Sequence, residues 1–221
     1  MKIKCRNLGL FGGTFNPVHV GHLRLAEDIG EEFCLDKVVF IPTNIPPHKE
    51  MSENISPVHR IRMVESAIKD NDRFASDNIE VERGGISYTI ETVNYVYDNY
   101  CFEEKPFFIL GSDLLDDIAD WKDIELLAGK VNFIIMMRAG TPVTDGLAGF
   151  TSLFKKNDRE LQDGGPQDPA CSNRLSFSLF EKRKLEITSS EIRERIKKKK
   201  SIRYLVTEDV LHYIEKNNLY R

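Results

Sequence analysis

Short apolar runs and helix-period stripes alternate along most of this chain. Leu8 to Phe11, Lys37 to Ile41, Pro106 to Leu110 and Asn132 to Met137 read as buried parallel strands, with Phe74 to Val81 a more polar candidate. Between them, Val20, Leu23, Ala26, Ile29 and Phe33 share one helical face. Ile61, Val64 and Ile68 form a second stripe, and Ile90, Val93, Val96 or Tyr97, and Tyr100 a third. Such alternation predicts an α/β chain built on a doubly wound, Rossmann-like parallel sheet. Helices should cover both faces, and ligands should bind beyond the carboxyl ends of the strands.

The pattern lapses from Ala139 to about Lys184, where Pro142, Gly146, Gly149, Gly164-Gly165-Pro166 and Pro169 interrupt a charged stretch with no sustained period. An irregular insertion is expected over 139–184, read as a disordered or accessory excursion ahead of a catalytic lid. Its poor apolar periodicity implies that exchanging Gly146 to Cys171 for a short Gly/Ser linker leaves the fold intact. Beyond it, Thr188-Ser189-Ser190-Glu191-Ile192-Arg193 sets hydroxyls ahead of an acidic residue and an apolar-spaced run, as a capped helix start does. A helical part is therefore expected over 189–221, with Lys197 to Lys200 as a solvated helix C-terminus. A chain of 221 residues can bury one good core, so a single domain over 1–221 is expected.

Charge and cysteine usage remove several classes. With 31 basic and 35 acidic residues and a net charge of −4, the chain does not suggest a general nucleic-acid binder. Affinity for anions must come from local placement. Cys5, Cys34, Cys101 and Cys171 lie far apart with no CxxC pair, which argues for reduced thiols over a zinc site or a disulfide framework. The start of the chain lacks the apolar core of a signal peptide, and no apolar run approaches ~18 residues. The expectation is a cytoplasmic protein without membrane contact, its oligomeric state open.

Candidate chemistry concentrates where the first strand ends. Gly12-Gly13-Thr14-Phe15-Asn16-Pro17 leads into His19-Val20-Gly21-His22, so two imidazoles three residues apart share one face of the following helix. Paired glycines let backbone N–H groups approach an anion, a helix N-terminus adds about half a positive charge, and imidazoles donate to phosphate oxygens. The start of the helix near Ser190 offers a second set of N–H groups and hydroxyls, with Arg193 suited to a polyphosphate.

These segments resemble signatures of the HxGH nucleotidyltransferase superfamily. Residues 12–22 look like the version in bacterial nicotinate-nucleotide adenylyltransferases, and Ile187 to Arg193 is similar to the second signature, ISSxxIR, with Thr188 as one extra residue. Asn16 stands where that family often has Asp. The likeness continues through Asn44 and Pro46-Pro47-His48-Lys49 after the second strand, Gly85-Ile86-Ser87-Tyr88-Thr89, Gly111-Ser112-Asp113 and Trp121. Read singly, Lys49 is a surface charge, Asp113 an N-cap and Trp121 core or a half-exposed wall; together they stand in family order. The connection after Arg138 is longer than in the family.

The resemblance implies adenylyl transfer from ATP to nicotinate mononucleotide, giving deamido-NAD and pyrophosphate without a covalent enzyme intermediate. It implies His19, His22 and Arg193 as catalytic, and Gly12, Gly13, Thr14, Phe15, Gly111, Asp113, Ser189 and Ser190 on ATP. Asn44, His48, Lys49, Ser87, Tyr88, Thr89, Trp121 and Arg138 would serve the acceptor. Mg²⁺ would arrive with the ATP phosphates, with no metal site of the protein's own. Nicotinamide mononucleotide or pantetheine phosphate as acceptor, and a non-catalytic nucleotide-binding module, are the alternatives. An NAD-dependent oxidoreductase is disfavoured because Phe11 breaks GxGxxG and Pro42-Thr43 replaces the acidic ribose ligand. A metal hydrolase would need histidines at i, i+4 with a Glu between them.

Overall fold

The computed structural model describes residues 4–47, 55–137, 150–151, 177–180 and 186–221. Six strands form one all-parallel sheet in the order β4-β3-β2-β6-β7-β8. These are β2 (Leu8–Gly13), β3 (Lys37–Pro42), β4 (Phe74–Ser76), β6 (Phe107–Gly111), β7 (Asn132–Met136) and β8 (Phe177–Phe180). A separate two-stranded pair joins β1 (Lys4–Cys5) to β5 (Cys101–Phe102). The helices are α1 (Val20–Glu32), α2 (Pro57–Ile68), α3 (Ile79–Arg83), α4 (Thr89–Asn99), α5 (Ile124–Lys130), α6 (Ser189–Lys197) and α7 (Glu208–Lys216).

The strand order explains where a ligand can sit. From β2 the chain first builds outward through β3 and β4, then returns to place β6 on the other side of β2. The order of strands therefore reverses between β2 and β6, and the ligand crevice of a doubly wound sheet lies beyond the carboxyl ends at such a switch point. Register puts Phe11 opposite both Phe40 and Ile109, so the Gly12-Gly13 turn and the Gly111-Ser112-Asp113 turn leave neighbouring strands.

Alternation along each buried strand divides the core into two layers. Phe11, Val38, Phe40, Ile109 and Ile134 face one layer with Ala26, Ile29, Met63, Ile192, Val210 and Ile214 from α1, α2, α6 and α7. Leu8, Leu10, Val39, Ile41, Phe108, Leu110, Phe133 and Ile135 face the other, with Ile90, Val93 and Val96 of α4 and Leu127 of α5. The expected α/β doubly wound sheet with helices on both faces is thus the observed fold.

Two expectations need correction. The strand foreseen from Phe74 to Val81 stops at Ser76, because the Asp77 carboxylate accepts the Ile79 N–H at 2.8 Å and turns the chain into α3. Within the stretch expected to be irregular, Phe177–Phe180 forms the edge strand β8, paired to β7 from Phe133↔Phe177 to Met136↔Phe180. Phe150 of the same stretch is 1% exposed and meets Phe133 and Phe177 edge-on, with ring centroids 5.4 and 5.7 Å away. Excising Gly146 to Cys171 would remove that core residue, so the linker exchange is expected to cost stability. The rest of 139–184 lies outside the described residues, as do Cys171, His48, Lys49 and Arg138. Cys5, Cys34 and Cys101 are free thiols.

Candidate active site

The turn between β2 and α1 is shaped by aromatic packing beneath it. Phe15 adopts a positive φ of 46° and is 2% exposed, its ring wedged against Phe11 at 5.5 Å and Phe40 at 5.6 Å. A Cβ on Gly13 would lie 3.0 Å from that ring, a tight contact that would require the Phe15 ring to shift. Phe15 can therefore meet a ligand through its backbone alone. The Asn16–Pro17 peptide bond is cis.

His19 is the N-cap of α1 and is 7% exposed. Its N–H donates to Nδ1 of His22 at 3.2 Å, and the two rings stack with centroids 3.6 Å apart. Accepting at Nδ1 puts the proton of a neutral His22 on Nε2, which makes that nitrogen a donor. The Phe15 ring meets the His22 ring edge-on at 5.2 Å and fixes its tilt. Gly21 leaves room for this arrangement, since a Cβ there would come 3.0 Å from His19 Nδ1 and press on the ring. Not every N–H at the helix start is open to a ligand: Val20 N–H donates to the Leu205 carbonyl at 2.9 Å.

The second signature docks onto the same turn. Thr188 is the N-cap of α6, its hydroxyl accepting the Glu191 N–H at 3.1 Å. The Ser189 hydroxyl donates to the Pro17 carbonyl at 2.8 Å, and Arg193 Nη1 donates to the Asn16 carbonyl at 2.9 Å. Arg193 Nη2 meets Ser190 Oγ at 3.2 Å. Exposed Ser190 and half-buried Arg193 thus flank the histidine turn. Asn16, 6% exposed, accepts the Tyr220 hydroxyl at 2.7 Å through its side-chain oxygen.

Across the crevice, the loops after β3 and before α4 hold each other. Asn44 N–H donates to Ser87 Oγ at 3.0 Å, Asn44 Nδ2 to the Gly85 carbonyl at 2.9 Å, and Ser87 N–H to the Ile45 carbonyl at 2.9 Å. The buried Ser87 hydroxyl also bonds the Glu80 carboxyl, as does Thr92 Oγ1 at 2.7 Å. Ser87 is therefore turned inward, and only backbone near it can reach a ligand. Burial pushes the Glu80 carboxyl above its ordinary range, against the hydrogen bonds from Thr92 and Ser87 and the nearby Arg83 and Arg60. Trp121 packs edge-on to Phe108 at 6.0 Å, and its neighbour Lys122 lies 4.6 Å over the Tyr88 ring. Tyr88 and Trp121 consequently pack against the same core layer, with Thr89 opening α4 beside Tyr88, while Asp113 is exposed just past β6.

Three contributors carry no motif in the sequence: Arg60, fully buried in α2, Glu80 and Tyr220. Apolar spacing places residues on a helix face, but it does not reveal a charge buried between two loops. Among the described residues no three His, Cys, Asp or Glu side chains converge as a metal site would require.

Residues 10–195 match the family described as cytidylyltransferase-like. A protein of Desulfitobacterium hafniense named probable nicotinate-nucleotide adenylyltransferase is 37% identical over 98% of this chain and 96% of its own. One of Salinibacter ruber with the same name is 38% identical over 97% of each chain. The nicotinic acid mononucleotide adenylyltransferase of Plasmodium falciparum, solved with NaAD, shares the fold, with a TM-score of 0.68 at 22% identity over 97% of each chain. With two signatures meeting at the sheet's switch point and full-length relatives of this kind, the chain belongs to the cytidylyltransferase-like family, in the group of nicotinate-nucleotide adenylyltransferases.

Proposed function

We propose that this nucleotidyltransferase joins the adenylyl group of ATP to nicotinate mononucleotide, releasing pyrophosphate and making deamido-NAD for NAD biosynthesis. One observation carries the reading: segments 172 and 177 residues apart in sequence meet at the Asn16–Pro17 turn, bringing imidazole, hydroxyl and guanidinium donors to one crevice. Such a donor set suits phosphate oxygens. The acceptor's 5′-phosphate is already an anionic nucleophile, so no protein nucleophile is needed. The protein aligns two polyanions and stabilises charge that develops on the leaving pyrophosphate.

In this reading Gly12, Gly13 and His22 meet the α-phosphate. His19, Ser190 and Arg193 meet the β- and γ-phosphates, with Ser189 bracing the turn, Thr14 and Phe15 offering backbone, and Gly111 and Asp113 serving the nucleotide sugar. Asn44, Tyr88, Thr89 and Trp121 would form the acceptor wall, with His48, Lys49 and Arg138 on its phosphate. Mg²⁺ would ride on the ATP phosphates and neutralise their charge, since the donors described favour anions over a cation. We read residues 1–221 as one catalytic domain of a cytoplasmic enzyme.

Choice of acceptor tests the reading. Ser87 and Tyr88 N–H groups are engaged by the Ile45 and Ile86 carbonyls, which leaves the first N–H groups of α4, on Thr89 and Ile90, to meet the acceptor's ring substituent. They favour a carboxylate over a carboxamide, whose NH₂ finds no acceptor there. ATP offered with nicotinate mononucleotide, nicotinamide mononucleotide or pantetheine phosphate, with product identified by mass, should give deamido-NAD with kcat/KM at least about 10²-fold above the others. Equal efficiency with the carboxamide would refute the assignment.

A further inference from the structure

We propose that Arg60 is a positioning residue that fixes the spacing between the phosphate turn and the acceptor loop, an inference that rests on the two-substrate reading above. Arg60 is 0% exposed and stands on α2, outside every motif. Its Nη1 donates to the Thr14 carbonyl at 2.8 Å and its Nη2 approaches the Asn44 carbonyl at 3.4 Å. Those carbonyls belong to different loops. Thr14 follows the glycine pair, while Asn44 follows β3 and binds Gly85 and Ser87 on the far wall. The β2–β3 ladder closes at the bond from Thr43 N–H to the Gly13 carbonyl, 2.9 Å, and beyond that point the guanidinium takes over as the bridge.

Stability does not account for such a residue. A fully buried guanidinium loses hydration, and its Nε has no partner among the described residues. Burial draws its pKa below the ordinary arginine value, with Tyr220 and Glu80 opposing. A buried charge held mainly by two carbonyls is costly where an apolar side chain of similar volume would pack. What only arginine supplies is a rigid fork with two donor ends, able to hold two carbonyls at one separation. In-line transfer depends on that separation, because a displacement of about 1 Å costs on the order of 10²-fold in rate.

The test uses Arg60→Met and Arg60→Lys in the full chain, the lysine keeping charge without the fork. Dissociation constants for ATP and for the acceptor, each alone, should stay within about threefold of wild type, while kcat per folded molecule falls about 10–100-fold in both variants. Hydrogen exchange supplies a readout that a structural role would not move. A methylene analogue of ATP should raise protection of residues 43–47 in the wild type and fail to do so in either variant. Lowered melting temperatures with wild-type kcat and wild-type transmission of protection would overturn the proposal. If Arg60→Met does not fold, Arg60→Lys decides by the same measurements. The exchange arm needs only the ATP analogue, so it stands apart from the acceptor question: a wild type that makes no deamido-NAD would defeat the function and leave the bridge to be judged by exchange.

Discussion

Replacing His22 separates chemistry from packing. The ring is held on three sides: its Nδ1 accepts the His19 N–H at 3.2 Å, its face stacks 3.6 Å from His19, and its edge meets Phe15 at 5.2 Å. Nε2 is thus a donor fixed before substrate arrives. Losing one preorganised donor lowers kcat by about 10²–10³, or about 2.7–4 kcal/mol of transition-state stabilisation. His22→Ala also strands the His19 N–H and opens space beside Phe15, costing roughly 1–3 kcal/mol of stability. His22→Phe keeps the ring and removes both nitrogens. Pyrophosphate release at saturating ATP and acceptor, measured beside a thermal melt, should show both variants slowed alike, with the phenylalanine variant melting closer to wild type. A His22→Phe enzyme with kcat within about threefold of wild type would sink the donor argument.

Gly21→Ala should push the His19 ring off its stack, since the new Cβ falls 3.0 Å from Nδ1, and lower kcat/KM by about tenfold with little change in melting temperature. Phe150→Ala should destabilise the fold by about 3–5 kcal/mol in denaturant titration, because the ring is buried between Phe133 and Phe177. Glu80→Gln should flatten the pH dependence of stability. A carboxyl whose folded pKa is raised favours the fold below the ordinary glutamate range and loses that advantage as pH climbs through the raised value, so the variant should gain on wild type in melts as pH rises above the ordinary glutamate range. Trp121→Ala should weaken acceptor binding by about 1–3 kcal/mol while KM for ATP stays put, as a stacking wall on one side of the crevice requires.

Fold class was legible because buried parallel strands write themselves as continuous apolar runs. Leu8 to Phe11 and Lys37 to Ile41 have no other reading once helical stripes fall between them. Phe74 to Val81 misled because Ile79 and Val81 continue a β-branched pattern. The Asp77 carboxylate, which captures the next turn, is a local polar effect that periodicity ignores. β8 was hidden for a different reason. Phe177–Phe180 is short, and its pairing partner Phe133–Met136 lies more than 40 residues earlier, so only the sheet edge declares it.

The site divides in the same way. Donors set by fixed spacing, such as His19 and His22, or Ser190 and Arg193, were readable, since helical geometry turns three-residue spacing into a shared face. Residues that hold the site from behind were not. Asn16 is an amide where a carboxylate is common in the family, yet its buried oxygen accepts from Tyr220, so its bond to the C-terminal segment does not need a charge. With position 16 neutral, the buried Arg60 cation is opposed by Tyr220 and then by Glu80, whose own burial favours the neutral form. In a chain of net charge −4, this leaves a buried cation bonded to the turn proposed above as the phosphate site, the local placement that anion binding needs.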